Sequence, residues 1–519
     1  MPAQIDCAFP GVAPMRSIVY CRRNFPMATD IAELLSESAD MFLELDGHGP
    51  HYAQLARALR SAVLDGRLGT GTRLPPTREL ARELELSRTT VLSAYEQLRA
   101  EGFIEGHTGS GSYVASLQTH PPLLPATPSI ESPSRYAQRA RTVRTPGIAT
   151  KHRGLRYELQ YGHSQINPAL NGIWGRELAR AAIYTPPQIT HVQGLPALRK
   201  QICDYLARRR GVRISPEQVM VVAGTQQAVT IAARVLLDEG DAVVLEEPHY
   251  FSMHQALIAH GARICPVRTD DEGLVCNELP QISPSLVCVT PSHQFPTGAV
   301  LSLPRRLELL RYAEKHQCWI LEDDYDGEFR YTAHPLAALR SLDKGDRVIY
   351  VGTFSKVLFG TLRMAYMVLP AALVDDFVNA KYLSDVASPG IEQAALAHFM
   401  EDGGFERHLR LARKELQARR DALIEGLHRY AGDRVEIGGS PAGMHVVAWL
   451  RGYDHARAEA LIELAQGRGL GLYSMTPHYL DPPARPGLLL GYCGLSVTTL
   501  REAMQLFGQC LDDMDARQV

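Results

Sequence analysis

The chain has no apolar run long enough to span a bilayer, so no transmembrane helix is expected. It has little net charge, −3 at pH 7, so affinity for a polyanion has to come from a local patch and not from the overall balance. Its nine cysteines are scattered, odd in number and without a Cys-x-x-Cys pair. Neither a disulfide framework nor a metal site is therefore indicated, and a reducing cytoplasm fits best. Residues 1–40 lack the continuous apolar core of a signal peptide; with Met15 and Met27 within it and Met41 directly after, part of this irregular N-terminal stretch reads as an extension or a misassigned start. What is present is ordinary for a globular protein, 45% hydrophobic and 21% charged residues, but 519 residues are too many for one core and imply several domains or lobes.

Residues 41–116 carry a first module. Leu55, Leu59 and Val63 recur at helical spacing from His51 to Asp65, and Gly66 ends the run. Pro75-Pro76 blocks its continuation, and Thr77 is placed to cap a second short helix marked by Leu80, Ala81 and Leu84. Ser87 is placed to cap a third, in which Val91, Tyr95 and Leu98 form one apolar face. Thr89 and Ser93 point away from that face. Arg88 and Thr90 flank it at the amino-terminal end, the end a recognition helix presents to the major groove. Phe103-Ile104-Glu105 and Ser112-Tyr113-Val114 read as two strands around the Gly-rich turn His107-Thr108-Gly109-Ser110-Gly111.

Three helices and a hairpin describe a mostly α winged helix-turn-helix. The wording Leu74-Pro75-Pro76-Thr77-Arg78, Ser87-Arg88-Thr89-Thr90-Val91 and Gly109-Ser110-Gly111 resembles the GntR family closely. By that resemblance Arg73, Arg78, Ser87, Arg88, Thr89 and Thr90 contact phosphates or bases of a double-stranded DNA operator, and Gly109 and Gly111 let the wing approach the minor groove. His107 stands where the family often carries a basic residue.

Residues 117–156 form a connecting segment. Pro121, Pro122, Pro125, Pro128 and Pro133 predict a semi-extended linker, followed by Arg135, Arg139, Arg141, Arg144, Lys151, Arg153 and Arg156 against Glu131 alone. Such a segment neutralises DNA phosphates without reading sequence, or merely keeps a linker soluble.

Over residues 157–515, β-rich runs such as Gln218–Ala223, Ala242–Leu245, Leu286–Thr290, Trp319–Glu322 and Val348–Val351 alternate with helical ones. The alternation predicts an α/β fold with a mostly parallel sheet whose ligands collect at the carboxyl ends of strands. Candidate chemistry falls at such ends. Lys356, in Gly352-Thr353-Phe354-Ser355-Lys356, can form a Schiff base with an aldehyde if burial or a neighbouring cation lowers its pKa. Asp323 can pair with a protonated pyridine nitrogen, and Tyr325 can donate to a ring oxygen. Gly224-Thr225-Gln226, between a strand and a helix, offers backbone N–H groups to a phosphate, with Thr353, Ser355 and Arg363 as further donors. Tyr250 can stack on a ring.

Together these pieces resemble fold-type I enzymes dependent on pyridoxal 5'-phosphate (PLP). Thr290-Pro291-Ser292-His293-Gln294-Phe295-Pro296-Thr297-Gly298 and Glu322-Asp323-Asp324-Tyr325-Asp326 look like the MocR/GabR subfamily of GntR regulators. The resemblance implies a large lobe over about 190–395 and a smaller α+β lobe mainly over 396–515. It also implies a cytoplasmic homodimer, often domain-swapped head to tail, with Lys356 as the catalytic imine lysine and Gly224, Thr225, Ser355 and Arg363 on the phosphate. Phe295 replaces the asparagine of ordinary aminotransferases. Ser252 falls near a ligand-binding arginine of some members, and Leu489 stands where many enzymes grip the substrate carboxylate with arginine; Arg485 is the nearby substitute.

The expected function is a PLP-dependent transcriptional regulator that senses an amine or amino acid-like effector, or PLP itself, through an aldimine at Lys356, with transaminase chemistry at most a side activity. The alternatives are a working aminotransferase with an accessory DNA-binding-like domain, and a DNA-binding protein whose PLP fold only dimerises.

Overall fold

The computed structural model of the protein describes residues 17–19, 43–107, 111–116, 133–143, 154–164, 168–186, 188, 191–331, 336–439 and 442–516. Two compact units divide the chain, Met1–Ile130 and Glu131–Val519.

In the first unit β1 (Ser17–Val19) pairs antiparallel with β2 (Leu43–Leu45), so a strand lies inside the stretch expected to be irregular. Helices α1 (His51–Leu64), α2 (Thr77–Glu83) and α3 (Arg88–Ala100) follow, then β3 (Ile104–His107) and β4 (Gly111–Val114), which pair antiparallel with Ile104 opposite Val114. Leu55 and Leu59 of α1, Leu80 of α2, and Val91, Tyr95 and Leu98 of α3 close one core with Ile104 and Val114. Thr77 does not cap α2. Pro76 occupies the cap and Thr77 the first turn, because a proline there removes only an N–H that a helix start leaves unpaired anyway. Tyr95 donates its hydroxyl to the Pro75 carbonyl at 2.8 Å, which ties the diproline turn to α3.

The second unit is built on an eight-stranded sheet: β6 (Val219–Val222), β7 (Ala242–Glu247), β8 (Arg263–Asp270), β9 (Gly273–Leu274), β10 (Leu286–Val289), β11 (Trp319–Asp324), β12 (Val348–Thr353) and β13 (Ala365–Val368). The spatial order is β6-β13-β12-β11-β10-β7-β8-β9, parallel across the centre, with β13 antiparallel to both neighbours and β9 antiparallel to β8. Leu245, Cys288, Leu321 and Val351 face the helix Thr225–Leu236, while Val244, Val287, Ile320 and Val348 face Leu309 and Ala313 of the helix Leu303–His316. Burial of both faces explains why these strands are continuous apolar runs.

The smaller lobe carries β14 (Val435–Gly438), β15 (His445–Leu450), β17 (Tyr473–Ser474) and β18 (Gly487–Gly491) in the order β14-β15-β18-β17. It recruits residues from far upstream, since β5 (Tyr157–Glu158) pairs parallel with β16 (Leu470–Gly471).

The basic segment also departs from expectation. Arg135–Ala140 is a helix docked on the second unit: Arg139 donates to the Ala259 carbonyl at 3.0 Å and pairs with Glu239 at 3.0 Å. Arg135 shares Glu239, and Arg156 pairs with Glu502 at 3.1 Å. These three arginines meet carboxylates within their own unit. Among the described residues no helix is long and apolar enough to cross a membrane.

Candidate functional site

The acidic end of β11 distributes its carboxylates by strand alternation. Glu322 accepts backbone N–H bonds from Leu339 and Arg340, both at 2.8 Å. Asp324 pairs with buried Arg210 at 2.6 Å and accepts the Tyr350 hydroxyl at 2.7 Å. Just beyond the strand, Asp326 holds His293 Nδ1 at 2.9 Å. Asp323 alone is left over. It is buried, and its Oδ1 has no hydrogen-bond partner. Burial, reinforced by the charge of Asp324, pushes its carboxyl up to about 7, against the opposing pull of Lys356.

Lys356 follows β12, on a turn anchored by the buried Phe354 and Leu358. Its Nζ donates to the Gly162 carbonyl, and burial holds the amine below its usual range despite Asp326, Cys493 and Asp323. Gly352 is required for space: a Cβ there would lie 2.4 Å from the Tyr366 ring.

A cradle for an anion lies at the start of the helix Thr225–Leu236. Gly224 adopts φ 108°, and a Cβ on it would come within 2.7 Å of the Arg363 guanidinium, which donates to the Ala223 carbonyl at 2.9 Å. Ser355 Oγ is buried without a partner. Phe295 meets Tyr250 and Tyr325 edge to face, both at 5.6 Å, and the Tyr325 hydroxyl lies 2.9 Å from His293 Nδ1.

Gly224, Thr225, Gln226, Tyr250, Asp323, Tyr325, Thr353, Ser355, Lys356 and Arg363 therefore surround one cavity of about 420 Å³. Gln160, Tyr161, Gly162, His445 and His478 also line it and carry no sequence motif that marks them. Their positions depend on the β5–β16 pairing and on the smaller lobe. His293 was visible as part of a motif without a role. Leu489 is buried against Val447, Tyr473 and Met475. Arg485 does not reach the cavity; it pairs with Glu436 through two bonds of 2.7 and 3.0 Å and lies over the Trp449 ring.

In the first unit, Ser87 caps α3 as expected, its Oγ accepting Thr90 N–H at 3.1 Å and lying 2.8 Å from the Thr89 hydroxyl. Arg73, Arg78 and Arg88 are exposed and make no ion pair among the described residues, whereas Arg57 and Arg60 are engaged by Asp46 and Glu101. Gly111 lies at the base of the wing, where a Cβ would come 3.2 Å from Arg73 Nε; Gly109 lies outside the described residues.

The family "Bacterial regulatory proteins, gntR family" matches residues 51–114, and "Aminotransferase class I and II" matches residues 176–468. The probable rhizopine catabolism regulatory protein MocR of Rhizobium meliloti is 37% identical over 470 residues, spanning 89% of this chain and 94% of that protein. The chain belongs to the MocR/GabR subfamily of GntR-type transcriptional regulators. Another relative of this regulator is the HTH-type pyridoxine biosynthesis transcriptional regulator PdxR of Corynebacterium glutamicum, 30% identical over 467 residues and spanning 89% of this chain and 97% of its own. Among solved structures, LysN, an alpha-aminoadipate aminotransferase of Thermus thermophilus complexed with N-(5'-phosphopyridoxyl)-L-leucine, shares the fold with a TM-score of 0.66 at 26% identity, over 75% of this chain and 99% of its own.

PLP is the cofactor of this MocR/GabR-type fold. The residues present fit it. The orphaned Asp323 oxygen lacks a cationic donor such as a pyridinium N–H, and the orphaned Ser355 hydroxyl, the Arg363 guanidinium and the Gly224 cradle suit a phosphate.

Proposed function

We propose that residues 41–116 bind a double-stranded DNA operator and that residues 157–515 hold PLP and respond to an amine effector, or to PLP itself, in a cytoplasmic homodimer. The carrying observation is the unpaired Asp323 oxygen in the same cavity as Lys356. Bound PLP supplies an aldehyde for amine condensation and a protonated ring that takes up electrons. Lys356 Nζ, kept less basic by burial, is the chain's own amine for that aldehyde. Asp323 holds the proton at the pyridine nitrogen, and Tyr325, kept protonated by burial, offers its O–H to the ring oxygen. Gly224, Thr225, Gln226, Thr353, Ser355 and Arg363 bind the phosphate, while Tyr250 and Phe295 exclude water from the ring.

Exposed Arg73, Arg78 and Arg88 supply the charge for phosphate contacts; Ser87, Thr89, Thr90 and the wing residues Gly109 and Gly111 complete the DNA-facing surface. The apolar Ile183, Tyr184 and Leu383, left 74, 74 and 81% exposed, support a homodimer. The wall lacks a carboxylate-binding arginine at Leu489, which favours sensing over sustained transamination.

The test is operator binding to DNA upstream of the protein's own gene, using PLP-loaded, PLP-free and Lys356→Ala protein, with an absorbance spectrum of each. Specific binding that changes with PLP or an added amine, and no longer does so in Lys356→Ala, is expected. Specific binding indifferent to both would falsify the sensing reading; sustained amine-to-keto-acid exchange would establish an aminotransferase.

A further inference from the structure

Resting on the reading of this cavity as an effector site, we propose that the effector is a primary amine without a carboxylate, held by an uncharged wall whose acceptors are the Tyr161 oxygen and His445 Nδ1, with His478 fixing the Tyr161 hydroxyl. Among the described residues lining the cavity, the lysine and arginine side chains are Lys356 and Arg363 alone. Arg363 is committed to the anion cradle beside Gly224, and Lys356 is the reactive amine. Among the described residues of the wall, a second anionic group on the effector has no further lysine or arginine to meet.

The rest of the wall is matched to donors. His445 Nε2 lies 2.9 Å from the Pro296 carbonyl, which requires an N–H at that nitrogen and leaves Nδ1 with a lone pair. His478 Nδ1 lies 3.2 Å from the His249 carbonyl, so its proton sits there and Nε2 accepts the Tyr161 hydroxyl at 3.0 Å. Tyr161 has thereby used its only proton, and its oxygen can only accept from anything else. Burial pulls His445 down to about 4 and His478 down to about 3, so neither imidazole becomes a cation near neutral pH. A carboxylate placed against these lone pairs meets repulsion, whereas a hydroxyl or amine hydrogen finds an acceptor. Leu489 is buried in β18 and Arg485 is tied to Glu436, so neither corrects the deficit.

The experiment titrates full-length PLP-loaded protein with two matched pairs, ethanolamine against serine and 2-phenylethylamine against phenylalanine. It reads both the absorbance change and the retention of operator DNA. In each pair the carboxylate-free member is expected to act at a concentration at least about tenfold lower, the ratio that corresponds to about 1.4 kcal/mol. Equal potency, or tighter action by the amino acid, overturns the proposal while leaving the PLP-sensing reading intact. If PLP added to the PLP-free protein changes neither spectrum nor DNA binding, both fall together. Ser252, another residue of the wall, allows a complementary variant: Ser252→Arg adds a cation and is expected to narrow the ratio at least about tenfold, whereas an unchanged ratio overturns the charge argument. Should that variant not fold, the wild-type ratios decide alone.

Discussion

Asp323 keeps a carboxylate oxygen unpaired inside the protein because its neighbours Glu322, Asp324 and Asp326 face other donors. The unfolded chain loses the Asp323 proton near pH 4, while the folded, cofactor-free chain keeps it to about 7. Between those limits the folded state binds more protons. The stability contributed by Asp323 therefore falls as pH rises, by at most about 1.4 kcal/mol per pH unit. Glu246 and Glu322, each pushed up to about 7 by burial, act in the same sense. The lowered histidines His445 and His478 act oppositely, so only a variant isolates the effect. Asp323→Asn should gain stability relative to wild type between pH 4.5 and 7, as read from urea midpoints of the cofactor-free proteins; a pH-independent difference would count against the assignment. At Gly224 the positive φ and the close guanidinium leave no room for a methyl. Gly224→Ala should displace Arg363 and weaken PLP binding at least about tenfold in an absorbance titration.

At the scale of elements, α3 is started by one hydroxyl. Ser87→Ala removes the acceptor for Thr90 N–H and should destabilise the winged helix by about 1 kcal/mol, read from its unfolding transition in the full chain. Arg88, free of any carboxylate among the described residues, tests the other end of the argument. Arg88→Ala should weaken operator binding with an unchanged PLP spectrum and, if it meets a phosphate, reduce the slope of log affinity against log salt by about 1. The basic segment carries less free charge than its composition implied, because Arg135, Arg139 and Arg156 are spent on Glu239 and Glu502.

For the whole molecule, assembly is the property most open to test. Leu383 and Val386 lie at the end of the helix Val374–Asp385 and just beyond it, with Val386 at φ 64°, a conformation β-branched residues avoid. Gly390, a few residues on, lies close to Thr185, which follows the exposed Tyr184. Leu383→Asp should convert a dimer to monomers in sedimentation experiments while leaving the fold intact, because the side chain supports no core of its own.

Local chemistry was legible in the sequence. The Ser87 cap, the Gly224 turn, the β11 and β12 strand ends and the spacing from Asp323 to Lys356 are set by contiguous residues whose backbone preferences and alternation act over a few positions. Tertiary structure alone decided which of four neighbouring carboxylates stays unpaired, because the donors that satisfy the others, Arg210, Tyr350, His293 and the Leu339 N–H, come from distant segments. It likewise decided that Tyr161, His445 and His478 close the cavity while Arg485 turns to Glu436. Burial and competition for hydrogen-bond partners depend on what the fold brings alongside, and spacing along the chain does not record that.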